Sequence, residues 1–318
     1  MLFRSLDDRG FEMDLRLNRI GDDDALPLER VVDRRADAVP HALVRVELGD
    51  PDADAVRDRG VGVGRRHPHG PNSLGSDPVP RAELAGHGDD LTIVGCDAHG
   101  IVRVDEIESA IRPDTVLVSV MHANNEIGTI QPIAEIAALC HERNVLVHTD
   151  ASQSGGKIRT PVDELQVDFL TLAGHKLYAP KGVGALYIRR GLGLEPLMHG
   201  AGHEGGLRAG TENVASIVGL GYAASLASKG LDQTSQRMES LRDRLYDQLR
   251  EEIGSGLRIH GVKSPRLPNT LSVAFPEVTG AAMLSRLPEL CASTGSACHS
   301  NATSMSDRKS TRLNSSHT

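Results

Sequence analysis

From residue 91 onward the chain alternates short apolar runs with longer stretches whose apolar residues recur every three or four positions. The short runs, residues 91–96 (LTIVGC), 116–121 (VLVSVM), 145–147 (VLV), 169–172 (FLTL) and 184–188 (GALYI), have the length of buried strands. Between them lie helical patterns. Residues 105–111 (DEIESAI) form a short one that stops before Pro113. Residues 132–144 form an amphipathic one with Pro132 at its entry and Ile133, Ile136, Ala137 and Cys140 on one face. That spacing assigns Cys140 to packing. Strand, helix, strand in this order predicts an α/β fold with a parallel sheet and right-handed crossovers. Residues 214–226 read as a buried helix of small residues. Residues 234–253 read as a second helix, with Met238, Leu241, Leu245 and Leu249 on one face and Gly254 as its stop. Strands at 257–259 and 270–275 and a helix at 283–290 complete a smaller C-terminal unit.

Residues 1–90 break this pattern. They are crowded with Arg, Asp, Gly, Pro and Val and sustain neither a helical nor a strand period. Residues 61–64 (VGVG) are too glycine-rich for a good strand. Such text reads either as a charged disordered segment or as a GC-rich gene translated out of frame.

The chemistry gathers where two strands end. The run at 145–147 leads into His148, Thr149, Asp150 and Gln153; the run at 169–172 leads into Gly174, His175 and Lys176. In an open α/β sheet, ligands bind beyond the carboxyl ends of the strands. A lysine forms a Schiff base with an aldehyde. A carboxylate keeps a pyridine nitrogen protonated and so makes the ring an electron sink. A glutamine donates to a phenolate oxygen, and a histidine to a phosphate. Either Asp150 or Lys176 alone reads as an ordinary rim or surface residue; the paired pattern describes a site for pyridoxal 5′-phosphate (PLP).

HTDASQ followed by GHKLYAPKG resembles the class V aminotransferase superfamily, and within it the cysteine desulfurases, from about residue 91 to 300. The resemblance implies a fold-type I PLP enzyme: a mostly parallel sheet flanked by helices, plus a smaller α+β domain. It implies Lys176 as the Schiff-base lysine, Asp150 on the pyridine nitrogen, Gln153 and Asn125 (in HANNEIG, residues 122–128) on the ring oxygen, and His175 on the phosphate. Where the family often has a phosphate-binding serine, this chain has Ala173. Residues 199–213 (HGAGHEGGLRAGTEN) resemble the family loop whose threonine, here Thr211, reaches the cofactor phosphate of the neighbouring subunit, with Arg208 ordering the loop; a homodimer follows. His199, His203 and Glu204 have metal-like spacing, but their glycine-rich setting favours a loop, and no metal is expected. SxGSACxS at the end of the match is the family's nucleophile loop. It makes Cys298 the sulfur acceptor, while Cys291 reads as structural. His299 after the nucleophile also occurs in selenocysteine lyases.

The expected organisation is an irregular or out-of-frame segment over 1–90, a partial PLP-binding large domain over 91–230, a partial small domain with the cysteine loop over 231–301, and a polar, foreign-looking tail over 302–318. The expected activity is desulfuration of L-cysteine to L-alanine with sulfur passed to an enzyme persulfide and on to an acceptor or scaffold protein. Selenocysteine lyase, another class V aminotransferase, and an inactive PLP-binding or scaffold fragment stand as alternatives. The family's phosphate loop, ring-stacking histidine and substrate-carboxylate arginine are missing from the text, so weak PLP binding and no turnover are expected of this chain.

Composition narrows the partners. The formal charge of −8 and an aromatic content of 3% speak against nucleic acid. No apolar run approaches the roughly 20 residues of a membrane span, and the first residues lack a signal-peptide core. Four cysteines without CxxC spacing suit a reduced, cytoplasmic protein. The sequence leaves open whether the sulfur serves iron–sulfur assembly, tRNA thiolation or another pathway.

Overall fold

The computed structural model describes residues 2–3, 42–46, 90–196, 198–275 and 278–294. Nine strands are found there: β1 (Leu2–Phe3), β2 (Ala42–Val46), β3 (Asp90–Val94), β4 (Thr115–Met121), β5 (Leu146–Asp150), β6 (Phe169–Ala173), β7 (Gly184–Ile188), β8 (Arg258–Ile259) and β9 (Val273–Ala274). The helices are α1 (Val104–Ala110), α2 (Ile133–Glu142), α3 (Val162–Leu165), α4 (Val214–Lys229), α5 (Leu231–Ile253) and α6 (Gly280–Arg286). Among the described residues, seven strands form one sheet in the order β1-β7-β6-β5-β4-β2-β3. Strands β2 to β6 are mutually parallel. Strand β7 runs antiparallel to β6, and β1 follows β7 in parallel. Strands β8 and β9 form a separate antiparallel pair.

The core lies where the sheet meets α1 and α2. Val118, Val120, Val147 and Leu170 from the strands pack with Ile107, Ile133, Ile136, Ala137 and Cys140 from the helices. The four α2 positions predicted from their spacing are all fully enclosed. Burying an aliphatic side chain of this size stabilises by about 1.5–3 kcal/mol. Helix α2 stops because Asn144 takes a left-handed conformation (φ 58°), a turn that Asn tolerates at this position. The Val145 amide then bonds the Cys140 carbonyl and the chain enters β5.

A buried aspartate binds this layer together. Asp168 is wholly enclosed and accepts from the Val147 amide at 2.7 Å and the Arg189 guanidinium at 2.6 Å; its Oδ2 lies 3.1 Å from His141 Nε2. It thereby links β5, the residue following β7, and α2.

Several expectations change. Strands β1 and β2 fall inside the segment read as irregular, and β2 lies between β3 and β4. The expected strand at 145–147 continues to Asp150, because the pairing with β4 persists through Met121↔Asp150. Helix α4 is only partly buried: Leu220, Gly221 and Ala224 face inward, whereas Val214, Val218, Tyr222 and Leu226 are exposed. Helix α6 begins earlier than its expected 283, at Gly280, where the Thr279 hydroxyl accepts from the Ala282 amide. It ends at Arg286, so Cys291 lies beyond the helix and is exposed, not the packed residue the sequence implied. Residues 61–64, the cysteine loop from 295 to 300 and the tail over 302–318 lie outside the described residues. Among the described residues no single helix is long and apolar enough to cross a membrane.

Candidate cofactor site

Three parallel strands end side by side, and their register fixes the rim. Met121 of β4 pairs with Asp150 of β5, which pairs with Thr171 of β6. Directly register-paired residues point to the same face of a sheet. Asp150 therefore sits at the carboxyl edge between two neighbours that carry no charge. Its Oδ1 accepts from the Ser152 amide at 2.8 Å, an Asx turn that starts the loop carrying Gln153.

The turn after β4 holds Asn125 in a shaped loop. Buried Asn124 accepts from the amides of Glu126 and Ile127 at 2.9 and 2.8 Å and so forms the turn itself. Asn125, next to it, has no side-chain hydrogen bond among the described residues. Gly128 closes the turn at φ +77°; a Cβ there would lie 2.7 Å from Thr270 Cβ. The loop is also tied to the C-terminal part of the chain. Leu267 donates to the Gly128 carbonyl at 2.8 Å, Ile130 donates to that of Pro265 at 2.9 Å, and Thr129 bridges Arg266. Arg266 in turn reaches the carbonyls of His260 and Gly261 at 2.6 and 2.7 Å.

Strand β6 ends at Ala173, and the next four residues, Gly174–Leu177, form one 3₁₀ turn. Leu177 is buried with Ala179, Val183 and Leu220 of α4, which pins the turn. His175 and Lys176 stand exposed on it, and neither has a side-chain hydrogen bond among the described residues. Glycines allow the close approach: a Cβ on Gly174 would lie 2.6 Å from the Val183 carbonyl oxygen, and one on Gly156 would lie 2.4 Å from Leu177 Cδ2. The loop bearing Gln153 is thus pressed against the turn bearing Lys176. Lys157, which sequence reasoning missed, lies at this junction. Its Nζ donates to the Gln153 carbonyl at 2.8 Å, and burial, together with the Lys176 charge, lowers its pKa.

Thr211 and Arg208 line a cavity of about 460 Å³ together with Thr171 and residues 182–186. Arg208 Nη1 donates to the Ala209 carbonyl at 3.1 Å, and the Gly210 amide donates to His203 Nδ1 at 3.3 Å, so both side chains close the loop locally. Among the described residues no group of three His, Cys, Asp or Glu side chains is placed to hold a metal. Cys298 and His299 lie outside the described residues.

Two further histidines, buried His122 and half-buried His148, carried no role in the sequence reading. His122 Nδ1 is 2.9 Å from Ser154 Oγ, and burial pushes the imidazole down to about 4. His148 lies two residues before Asp150 on the same face of β5, bonded on both ring nitrogens. A period of two along the strand places it beside Asp150, but its partners on β4 and β6 follow only from register.

The groups on this rim are a primary amine, a carboxylate with one oxygen held in the Asx turn, two carboxamides and an imidazole. That set fits PLP, with an aldehyde for Lys176, a ring nitrogen for Asp150 and a ring oxygen for Gln153 and Asn125. His175, and Thr211 from its loop, suit the phosphate. Ala173 offers only a methyl group.

Residues 75–313 match the family model described as aminotransferase class-V. The chain is 45% identical over 217 residues to a protein named cysteine desulfurase IscS from Dictyoglomus turgidum, covering 68% of this chain and 55% of that one. Among solved structures it is similar to a NifS-like protein (TM-score 0.65, 34% identity, 82% of this chain and 65% of that one). It is also similar to SspA in complex with cysteine (TM-score 0.59, 30% identity, 81% and 65%). The chain spans about half the length of the curated relatives it matches. It belongs to the class V aminotransferase family, whose members depend on PLP.

Proposed function

We propose that this chain is an incomplete version of a PLP-dependent cysteine desulfurase, an enzyme that converts L-cysteine to L-alanine and receives the sulfur on the residue that is Cys298 here. The observation that carries this reading is the rim itself, with Asp150 in register between β4 and β6 and the Lys176 turn pressed against the Gln153 loop. Relatives named cysteine desulfurase and a similar structure solved with cysteine supply the substrate class.

When bound, PLP supplies an electron-poor ring that weakens the substrate bonds at Cα. The chain's own residues do the rest. The Lys176 amine holds the aldehyde and moves the proton at Cα. Asp150 keeps its carboxylate toward the ring nitrogen, because its neighbours in the sheet offer no competing cation. Gln153 and Asn125 orient the ring through its oxygen; His175 and Thr211 bind phosphate. The Cys298 thiolate attacks the substrate sulfur, the carbon–sulfur bond breaks, and the enzyme keeps a persulfide while alanine leaves. We assign Thr211 to the site of a second copy in a homodimer, and the persulfide sulfur to an acceptor protein. The protein works in the cytoplasm.

A version of the protein supplied with the missing phosphate loop, ring-stacking histidine and substrate-carboxylate arginine, given PLP and L-cysteine and assayed for alanine and sulfide, tests this reading. Cys298→Ala should lose sulfide production while retaining PLP absorbance. Lys176→Ala should lose the borohydride-reducible PLP adduct. Undiminished sulfide from Cys298→Ala would show that Cys298 does not receive the sulfur, and amino-group transfer from cysteine with no sulfide released would favour another class V aminotransferase. His299 after the nucleophile favours a second reading, selenocysteine lyase, which would show as preferential turnover of selenocysteine.

A further inference from the structure

The two loops that carry the rim carboxamides both close on one residue. His122 is the first residue after β4 and is buried. Its carbonyl accepts from the Gln131 amide at 2.9 Å, which with the bridge between Ala123 and Ile130 draws shut the turn bearing Asn125. Its amide donates to the Asp150 carbonyl at 2.9 Å, where the loop bearing Gln153 begins. Its ring holds the other end of that loop, with Nδ1 2.9 Å from Ser154 Oγ. The Ser154 hydroxyl donates to the Ala151 carbonyl at 3.2 Å, and the Ser154 and Gly155 amides donate to the same carbonyl at 3.1 and 2.8 Å. A lone pair of the hydroxyl is left to accept from Nδ1.

We propose that His122 is a positioning residue that clips the Gln153 loop to the Asn125 turn and so sets the two carboxamides at the spacing a single ring oxygen requires. This rests on the reading of the rim as a PLP site. The main-chain bonds at position 122 ask for no particular side chain. The ring bond does, because it reaches across 32 residues of sequence to the neighbour of Gln153. Lys157 Nζ ties the Gln153 carbonyl from within the same loop, so it fixes the loop's shape and not its place against β4. Pairing of β4 with β5 ends at Met121↔Asp150. Beyond that pair, the His122 ring holds the loop in place.

The first measurement is amide exchange in the full chain. His122→Phe should speed exchange at residues 154 and 155 about tenfold, the loss of one buried hydrogen bond, and leave residues 136–140 of α2 unchanged. His122→Asn, whose carboxamide nitrogen can stand where Nδ1 stands, should restore most of the protection. Should His122→Phe fail to fold, Ser154→Ala removes the other half of the bond with little change of shape and should act the same way. Unchanged exchange at 154 and 155, or equal acceleration in α2, overturns the proposal. The second measurement is PLP titration by visible absorbance, in the version of the protein that carries the missing family segments. Gln153→Ala alone should raise the dissociation constant about tenfold, one hydrogen bond to a charged group. Combined with His122→Phe or Ser154→Ala, it should add less than about twofold, because the carboxamide is already displaced. Additive effects overturn the positioning role. A completed wild type that takes up no PLP overturns the functional reading and the role toward the ring with it, while exchange still decides whether the clip exists.

Discussion

At the residue scale, burial decides which titratable groups stay silent. The Ser154 hydroxyl donates to the Ala151 carbonyl at 3.2 Å, so His122 Nδ1 must carry the proton of their shared bond. The folded imidazole titrates at about 4, against 6.5 when unfolded, so the unfolded state binds the extra proton. Stability contributed by this group is complete above about pH 6.5 and is lost as pH falls toward 4, roughly 3 kcal/mol in all. Denaturant titrations of the wild type and His122→Gln between pH 7 and 4 check this: the variant should lack that part of the slope. Burial also pushes the Cys140 thiol up to about 12, whereas Cys291 is exposed. A thiol reagent should label Cys291 in the native protein and reach Cys140 only on unfolding. At the site, Ala173→Ser restores a phosphate donor and should tighten PLP by roughly tenfold, one hydrogen bond to a charged group; an unchanged dissociation constant would place that position away from the phosphate. Asp150, Gln153, His175 and Lys176 were legible because each follows an apolar run. Lys157 and His148 were not, because their meaning depends on which strand lies alongside.

At the element scale, the joints matter more than the elements. Helix α2 was readable from four apolar positions on one face, and all four are enclosed. Helix α4 misled: its small residues suggested burial all round, but Val214, Val218, Tyr222 and Leu226 stand outward at four-residue spacing. Asp168 follows the opposite logic, since a charged residue before an apolar run gave no sign of being a hub. With its partners left in place, Asp168→Ala leaves the Val147 amide unpaired and Arg189 without its counter-charge. A loss of about 1–3 kcal/mol is expected, the cost of the buried Val147 amide left unpaired, since Arg189 is half-exposed; urea unfolding showing no loss would mean that the cluster is not structural. Gly128 is a second joint. Gly128→Ala needs both a strained φ and displacement of Thr270, so it should loosen the Asn125 turn and its tie to Leu267 together. Amide exchange at Leu267 reports this.

At the scale of the molecule, the sheet depends on five residues far from its other strands. Ala42–Val46 is a short, mostly apolar run with an arginine inside, set in charged text, and the sequence offered no period to single it out. Pairing with Leu91–Val94 on one side and Leu117–Val120 on the other makes it an interior strand. Proline in such a position removes a ladder donor. Val44→Pro should therefore cost the chain its cooperative thermal transition, and a variant that melted like wild type would show that β2 does not build the sheet. The position of β2 also orders events in time. It leaves the ribosome before either neighbour, and its partner on β4 is made about seventy residues later. Until then its two edges have nothing to pair with, and β3 alone can form only one side. Closure of the sheet must wait for β4, a non-local step of the kind that slows folding. During that interval the nascent chain presents an open strand edge, the surface on which chaperones and aggregation compete.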